Sequence, residues 1–144
     1  MDSPEELESV YLVAGRDFIN AGRISTAIMD VLKRLGTNPE VVRRVAIASY
    51  EAEMNVVMYA LRGKISLRVN PRMVTIEVED EGPGIEDIDL AMKEGYSTAT
   101  PEMQEMGFGA GMGLPNIMKH ADKFEIVSEV SKGTRLFISV NQSA

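Results

Sequence analysis

Apolar and polar residues follow two different periods along this chain, and these periods predict which segments are strands and which are helices. An apolar residue at every second position is typical of a strand with one buried face, whereas apolar residues spaced three and four apart are typical of an amphipathic helix. Five short segments have the alternation or the β-branched composition of strands. These segments are residues 10–14, 65–69, 74–78, 124–128 and 134–140.

Two longer segments have the helical spacing. The first extends from about residue 18 to 35, and Gly36 is its stop signal. The second begins at Pro39, which suits the first turn of a helix, with Asn38 in the capping position before it, and it continues to about residue 61. Two shorter helices are predicted at residues 86–92 and 114–121.

The order of these elements predicts the fold class. The later four strands form two hairpins, and the helices cover one face of the sheet. We therefore expect an α/β protein: a two-layer sandwich whose mostly antiparallel mixed sheet is covered on one face by helices. Residues 1–144 are expected to form a single domain, with frayed ends at about 1–8 and 141–144.

Two glycine-containing segments carry the candidate chemistry. Residues 76–85 have the sequence Ile-Glu-Val-Glu-Asp-Glu-Gly-Pro-Gly-Ile, in which a strand ends in acidic residues and a turn. Residues 107–113 place a glycine at every other position, immediately before a predicted helix with Pro115 in its first turn. Backbone N–H groups at such a helix start favour an anion, so the pair predicts a nucleotide site.

Each segment alone also has an ordinary interpretation. The acidic turn could be a plain hairpin turn, and neither the dinucleotide-binding spacing nor the phosphate-loop pattern is present. Glu51 and Asn55, four residues apart on one face of the second helix, could be a simple polar edge. The order and distance of the three features favour a joint site. Glu53 is expected to point elsewhere and to be solvated.

Taken together, these residues resemble a known superfamily. The motifs are Glu51…Asn55, Asp80-x-Gly82-x-Gly84 and Gly107-x-Gly109-x-Gly111-x-Gly113, which resemble the three conserved boxes of the Bergerat-fold ATPases. Within that superfamily, the small size, Gly95-Tyr96-Ser97-Thr98 and Gly113-Leu114-Pro115 resemble the bacterial anti-sigma-factor and stress-module switch serine kinases. The resemblance covers most of the chain, from about residue 10 to 140.

The resemblance implies a role for each matching residue. Glu51 would be the general base, Asn55 would ligate Mg²⁺, and Asp80 would accept a hydrogen bond from the adenine amino group of ATP or ADP. Thr134 would help to bind adenine through water. Independently of the resemblance, residues 96–106 are polar and the least periodic stretch, which indicates either the front of a mobile lid or a plain surface loop; Ser97 and Thr98 there are either phosphate contacts or turn residues. The full predicted nucleotide set is Asn55, Asp80, Gly82, Gly84, Ile85, Ser97, Thr98, Gly107, Gly109, Gly111, Met112, Gly113, Leu114 and Thr134.

Three functions are compatible with this resemblance. The favoured one is an ATP-dependent serine/threonine kinase that phosphorylates a small anti-sigma-antagonist-type domain in bacterial partner switching. The second is a nucleotide-gated binding module for a sigma factor or a phosphatase, for which a base such as Glu51 is unnecessary. The third, a histidine-kinase catalytic fragment, is disfavoured because His120 lies inside the predicted lid helix and is expected to be structural.

Composition narrows the remaining classes. The absence of cysteine excludes disulfides and thiolate metal sites, and a net charge of -7 argues against binding to a phosphate backbone. No apolar run approaches membrane-spanning length, and the acidic start lacks a signal-peptide pattern, so a cytoplasmic location without nucleic-acid or membrane partners is expected. The sequence leaves open whether the protein is a monomer or a homodimer.

Overall fold

The computed structural model describes residues 6–93 and 113–142, in which five strands form one sheet in the order β1-β2-β3-β5-β4. The strands are β1 (Leu7–Ala14), β2 (Arg62–Val69), β3 (Met73–Glu81), β4 (Lys123–Glu129) and β5 (Gly133–Asn141). The helices are α1 (Arg23–Arg34), α2 (Pro39–Tyr59), α3 (Ile88–Ala91) and α4 (Gly113–His120). This arrangement confirms the predicted α/β class.

Every strand pairing among the described residues is antiparallel, so the parallel part of the expected mixed sheet does not occur there. The connection from β1 to β2 contains both α1 and α2, and it returns the chain to the end of the sheet that it left. Ala14 at the end of β1 pairs with Arg62 at the start of β2. A single crossover helix would have returned the chain parallel to β1, whereas two helices return it antiparallel.

The helices cover one face of the sheet, and alternate side chains of the strands face them. The fully buried members on β2, β3 and β5 are Ile65, Leu67, Val74, Ile76, Val78, Leu136, Ile138 and Val140. They form one core with apolar residues of α1, α2 and α4. Pairing also extends further toward both ends of the chain than expected, because Leu7 pairs with Val69 and Asn141 pairs with Met73.

The opposite face of the sheet is charged. Lys64 and Glu79 form an ion pair at 3.6 Å, Arg68 and Glu77 form one at 3.2 Å, and Arg135 also pairs with Glu79. Exposed pairs of this kind contribute only about 0–1 kcal/mol each, so they keep this face solvated more than they stabilise the fold. Within the described part of the chain, none of the helices combines the length and the apolar character needed to cross a membrane.

Helix α1 begins at Arg23, later than the predicted start near residue 18. Gly22, the residue before it, has a φ of 95°, a left-handed conformation that suits glycine and interrupts a helix. No side chain next to the helix start caps it. Its predicted end is confirmed: Gly36 has a φ of 75°, and the N–H of Thr37 donates to the carbonyl oxygen of Leu32 at 3.0 Å.

Glu53 on α2 provides the missing cap, and the prediction that Glu53 is solvated is therefore wrong. The N–H groups of Gly22 and Ile24 donate to its Oε2 at 3.1 and 3.2 Å, and the N–H of Ser25 donates to its Oε1 at 3.0 Å. The side chain is only 2% exposed. A buried carboxylate is stable here because it satisfies free N–H groups at the positive end of the α1 dipole.

Helix α2 is the central helix. Asn38 caps it by accepting the N–H of Glu40 at 2.8 Å, as predicted. The helix ends at Tyr59 because Ala60 has an extended backbone, and the N–H of Leu61 donates to the carbonyl oxygen of Glu81 in β3. Buried residues occur on nearly all sides of α2, as expected for a helix that packs against α1, α4 and the sheet.

Helix α3 is shorter than its predicted range. It covers four residues of the segment 86–92, and Asp87 caps it by accepting the N–H of Leu90 at 3.0 Å. Helix α4 closely matches the prediction of a helix at residues 114–121.

Candidate nucleotide site

The first part of the candidate site lies where the middle of α2 faces the N-terminus of α4. Glu51 and Asn55 are both partly buried and lie one turn apart on α2. Gly113, the first residue of α4, is opposite them. A methyl group added to Gly113 would lie 3.4 Å from Asn55 Oδ1 and 3.7 Å from Glu51 Oε1. Two oxygen atoms therefore face a helix N-terminus, where a phosphate group is stabilised.

Glu51 has a hydrogen-bond donor that the sequence analysis did not identify. Asn116 Nδ2, in the first turns of α4, donates to Glu51 Oε2 at 3.0 Å. In the described part of the chain, Asn116 is the one side chain that donates to this carboxylate. Asn116 and Glu51 are 65 residues apart in sequence, and helical periodicity does not predict contacts between helices.

Arg44 joins α2 to the other end of α4. Its Nε donates to the carbonyl oxygen of His120 at 2.9 Å, and its guanidinium forms an ion pair with Asp122 at 3.1 Å. The N–H of Asn141 donates to Asp122 as well, and this hydrogen bond is the main reason that the pKa of Asp122 is lowered. The Nδ1 of His120 lies 2.8 Å from the carbonyl oxygen of Asn116, which fits the structural role expected of this histidine.

The second part of the site lies at the end of β3, where Asp80 is partly buried. Its Oδ1 accepts the N–H of Thr134 at 3.1 Å. Burial raises the pKa of Asp80, and the hydrogen bond from Thr134 offsets part of that rise. No other group among residues 6–93 and 113–142 donates to this carboxylate, which leaves Oδ2 able to accept from a ligand amino group.

Two glycines determine what surrounds Asp80. A methyl group on Gly133, whose φ is 150°, would lie 2.0 Å from the carbonyl oxygen of Asp80, so only glycine allows this close approach. The approach brings the N–H of Thr134 to the carboxylate. A methyl group on Gly82 would lie 3.3 Å from Asp80 Oδ1 and 3.1 Å from Ala60 Cα, so glycine keeps this side of the carboxylate open.

The turn after β3 is held against the hairpin of β4 and β5. Gly84 has a φ of 76°, and a methyl group there would lie 2.4 Å from the carbonyl oxygen of Glu129. The N–H of Ile85 donates to Ser128 Oγ at 2.7 Å, and that oxygen lies 2.8 Å from Thr134 Oγ1. Ser128, a residue that sequence analysis did not select, therefore contacts two predicted site residues. The sequence feature that could have identified Ser128 is that it is a polar residue at an inward-facing position of β4.

The predicted site residues thus fall into three groups. One group comes together at the contact of α2 and α4: Glu51, Asn55, Gly113 and the buried Leu114. Another comes together around the ends of β3 and β5: Asp80, Gly82, Gly84, Ile85 and Thr134. The third lies outside the described residues, together with the predicted lid segment 96–106: Ser97, Thr98, Gly107, Gly109, Gly111 and Met112.

The oxygen atoms on α2 fit a nucleotide-bound Mg²⁺. This ion prefers hard oxygen ligands, keeps several waters, and binds through one or two protein groups together with phosphates. Asn55 Oδ1 supplies one such oxygen next to the N-terminus of α4, where phosphate oxygens would lie. The residues present are therefore compatible with the predicted cofactor.

Comparison with known proteins gives two kinds of match. Residues 17–140 match a family described as the histidine kinase-like ATPase domain. The chain is 32% identical over 111 residues to the serine/threonine-protein kinase RsbT of Bacillus subtilis, a match that covers 74% of this chain and 77% of that relative.

Two further relatives are anti-sigma F factors. The one from Thermoanaerobacter sp. is 31% identical over 114 residues, covering 76% of each chain. The one from Clostridium kluyveri is 35% identical over 99 residues, covering 69% of this chain and 62% of the relative.

Proposed function

The chain belongs to the family of histidine kinase-like ATPase domains, and on that basis we propose that it is an ATP-dependent serine/threonine protein kinase of the switch-kinase type. The observation that carries this proposal is the position of Glu51 and Asn55 opposite the N-terminus of α4. In this proposal the Glu51 carboxylate acts as the base and the Asn55 amide as the metal ligand, next to a helix N-terminus that favours phosphate. The similarity to a serine/threonine-protein kinase supports the same activity.

The proposed reaction transfers the γ-phosphoryl group of ATP to a partner protein. The hydroxyl oxygen of a partner serine or threonine forms a bond to the γ-phosphorus, while the bond from that phosphorus to the bridging oxygen of ADP breaks. The hydroxyl proton passes to Glu51, and the products are ADP and a phosphorylated side chain. Such transfer depends on positioning and charge stabilisation, so a fixed base and metal ligand are its main protein requirements.

Nucleotide recognition is assigned to the second part of the site. Asp80 Oδ2 would accept a hydrogen bond from the adenine amino group, with Thr134 beside it. Bound Mg²⁺ would neutralise charge on the phosphate oxygens, and Asn55 would ligate it. The phosphate-binding roles of Ser97, Thr98 and the glycine-rich segment 107–113 stay predictions.

The proposed protein partner is a small domain of the anti-sigma-antagonist type. The similarity to two anti-sigma F factors also supports a second candidate function, in which nucleotide binding controls the binding of a sigma factor or a phosphatase. In that case phosphotransfer would be secondary or absent. A homodimer, a cytoplasmic location and the single-domain organisation of residues 1–144 also stay predictions.

The variant Glu51→Gln tests the proposed base. Glutamine keeps the shape and one acceptor oxygen but does not take up the hydroxyl proton. We expect near wild-type binding of Mg²⁺-ATP, with phosphotransfer reduced by about 10²–10⁴-fold. Asn55→Ala should instead weaken the binding of Mg²⁺-ATP itself, because it removes a metal ligand. The measurement is transfer of labelled γ-phosphate to antagonist-type domains encoded near this gene, beside a binding titration for each variant.

Glu40→Gln is a matched control, because Glu40 is an exposed residue in the first turn of the same helix and lies away from the site. This control should transfer phosphate at the wild-type rate. Wild-type transfer by Glu51→Gln would show that Glu51 is not the base. A wild-type protein that labels no partner but binds one only with nucleotide present would favour the binding-module function.

A further inference from the structure

The two carboxylate oxygens of Glu51 have different surroundings. Oε2 accepts the hydrogen bond from Asn116 Nδ2 at 3.0 Å. Oε1 is the oxygen that lies near Gly113, 3.7 Å from the position of a methyl group added there. One oxygen is therefore held by α4, and the other faces the helix N-terminus where phosphate is proposed to lie.

We propose that Asn116 is a positioning residue for phosphotransfer: by holding Oε2, it turns Oε1 of Glu51 toward the incoming hydroxyl group. This inference rests on the proposed role of Glu51 as the base. Asn116 does not take up the proton and does not contact the phosphate in this proposal. It acts on the reaction only through the orientation of Glu51.

Positioning is needed because the immediate surroundings of Glu51 on α2 do not provide it. A glutamate side chain has several rotatable bonds, and one orientation dominates only when neighbouring groups select it. Ala48 and Ala52, its small neighbours on α2, are fully buried and have no side-chain donor, and Asn55, one turn further along, makes no hydrogen bond to Glu51 among the described residues. Asn116 is the one described side chain that donates to Glu51.

Asn116 is itself held by the packing of α4. Its neighbours Leu114 and Ile117 are buried in the core, at 8% and 0% exposure. The end of α4 is attached to α2 by the hydrogen bond from Arg44 to the carbonyl oxygen of His120. A donor on a fixed element can hold a catalytic group within the narrow geometric range that transfer requires.

A purely structural role for Asn116 makes different predictions. If the hydrogen bond only joined α2 to α4, its loss would lower stability or nucleotide affinity regardless of the residue at position 51. A positioning residue should instead lower the turnover rate, leave nucleotide affinity unchanged, and lose its effect once Glu51 is replaced.

The test compares Asn116→Leu with Asn116→Gln and the control Lys119→Leu, which places leucine at an exposed position of the same helix. We expect Asn116→Leu to reduce the turnover rate about 10–100-fold. Its affinity for Mg²⁺-ATP should stay within about twofold of wild type, because the proposed contact acts on the base and not on the nucleotide. Asn116→Gln, which retains an amide donor, should recover part of the rate, and Lys119→Leu should match wild type. In a Glu51→Gln background, Asn116→Leu should cause no further loss.

A second measurement does not depend on activity. The side-chain NH₂ signals of Asn116 in an NMR spectrum of the full chain should shift in Glu51→Gln and stay unchanged in Glu40→Gln. An active wild type whose Asn116 signals do not respond, or equal rate losses in both backgrounds, would overturn the positioning role alone. A wild-type protein that transfers no phosphate would overturn the proposed kinase function. The positioning role of Asn116 would then be overturned as well, because it depends on that function.

Discussion

At the scale of single residues, three carboxylates in this protein differ in how their oxygens are used. Both oxygens of Glu53 accept backbone N–H groups and are buried. Glu51 and Asp80 each have one oxygen held by a single donor. The second oxygen of each accepts no hydrogen bond from the described residues, which fits the proposed contact with a ligand or a reacting group. The residue type alone does not distinguish these roles, because the donors come from distant parts of the chain.

Asp80 gives a prediction about pH. Because burial raises its pKa, its ionised form is lost at a higher pH than that of an exposed aspartate as the solution is acidified. In its proposed role Asp80 accepts from the adenine amino group, and the ionised carboxylate is the stronger acceptor, so ATP affinity should be full above the raised pKa and should fall as the pH drops through it. Asp80→Asn should remove this dependence and weaken ATP by about 1.5–3 kcal/mol, roughly 10–150-fold.

The measurement is calorimetric titration with ATP and with GTP over a pH series that extends from neutral pH down through the acidic range. The nucleotide-free stability of Asp80→Asn is the control. Since the raised pKa means that the ionised, partly buried Asp80 opposes folding at neutral pH, the variant should unfold no more easily than wild type. Equal affinity for ATP and GTP in the wild type would contradict the adenine-recognition role.

Periodicity and turn chemistry predicted those candidate site residues whose neighbours are local, whereas Thr134, 54 residues from Asp80, was predicted only through the family resemblance. Glu51 and Asn55 are one turn apart on one helix, and Asp80, Gly82 and Gly84 follow one strand, so periodicity and turn chemistry bring each set together. Asn116 was missed because its contact with Glu51 depends on how two helices pack.

At the scale of elements, a helix boundary was predicted correctly where the residues that set it are adjacent in sequence, and not where they come from a distant element. The start of α2 is determined by Asn38 and Pro39, which are adjacent in sequence. The start of α1 depends on the left-handed Gly22 and on Glu53 from another helix, and the local signals were Gly22 itself and the lack of Ser, Thr, Asp or Asn directly before Arg23. A long apolar stripe therefore predicted α1 correctly but extended it too far toward its N-terminus.

Glu53→Gln should destabilise the protein. The glutamine side chain has one acceptor oxygen where glutamate has two, and its NH₂ group would face a backbone N–H that needs an acceptor. The substitution also removes the negative charge that complements the α1 dipole. We expect a loss of about 1.5–3 kcal/mol in the free energy of unfolding, measured by urea denaturation.

Glu51→Gln is the matched control, because it makes the same change two residues away in the same helix, where the side chain is only partly buried. It should stay close to wild-type stability. If Glu53→Gln lowered the free energy of unfolding no more than Glu51→Gln does, the cap on α1 would contribute little to the stability of the fold.

At the scale of the whole molecule, the fold joins the two parts of the candidate site, called half-sites below, which are formed by different layers. The contact of α2 with α4 carries Glu51 and Asn55, and the ends of β3 and β5 carry Asp80 and Thr134. Residues of both layers share one hydrophobic core, so the half-sites are parts of one cooperative unit. A ligand that contacts both should therefore stabilise the entire fold.

Mg²⁺-ATP should raise the thermal midpoint of the wild-type protein. At a nucleotide concentration 100 times Kd, linkage gives about 2.7 kcal/mol, which corresponds to a rise in Tm on the order of 10 °C for a chain of this size. Asp80→Asn and Asn55→Ala should each show a smaller rise at the same concentration. Calorimetric melting curves with and without nucleotide measure this, and an unchanged midpoint at saturating ATP would contradict the site.

The cap that Glu53 forms on α1 also bears on the order in which the chain folds. Its donors lie 28 to 31 residues from Glu53 in sequence, so they meet the carboxylate only after α2 has formed and docked. Without that cap α1 is a short helix with free N–H groups, and short isolated helices are marginal in water. We therefore expect α1 to complete its first turn late, after the rate-limiting step of folding. Consequently the stability lost in Glu53→Gln should appear mainly as faster unfolding, with the refolding rate nearly unchanged.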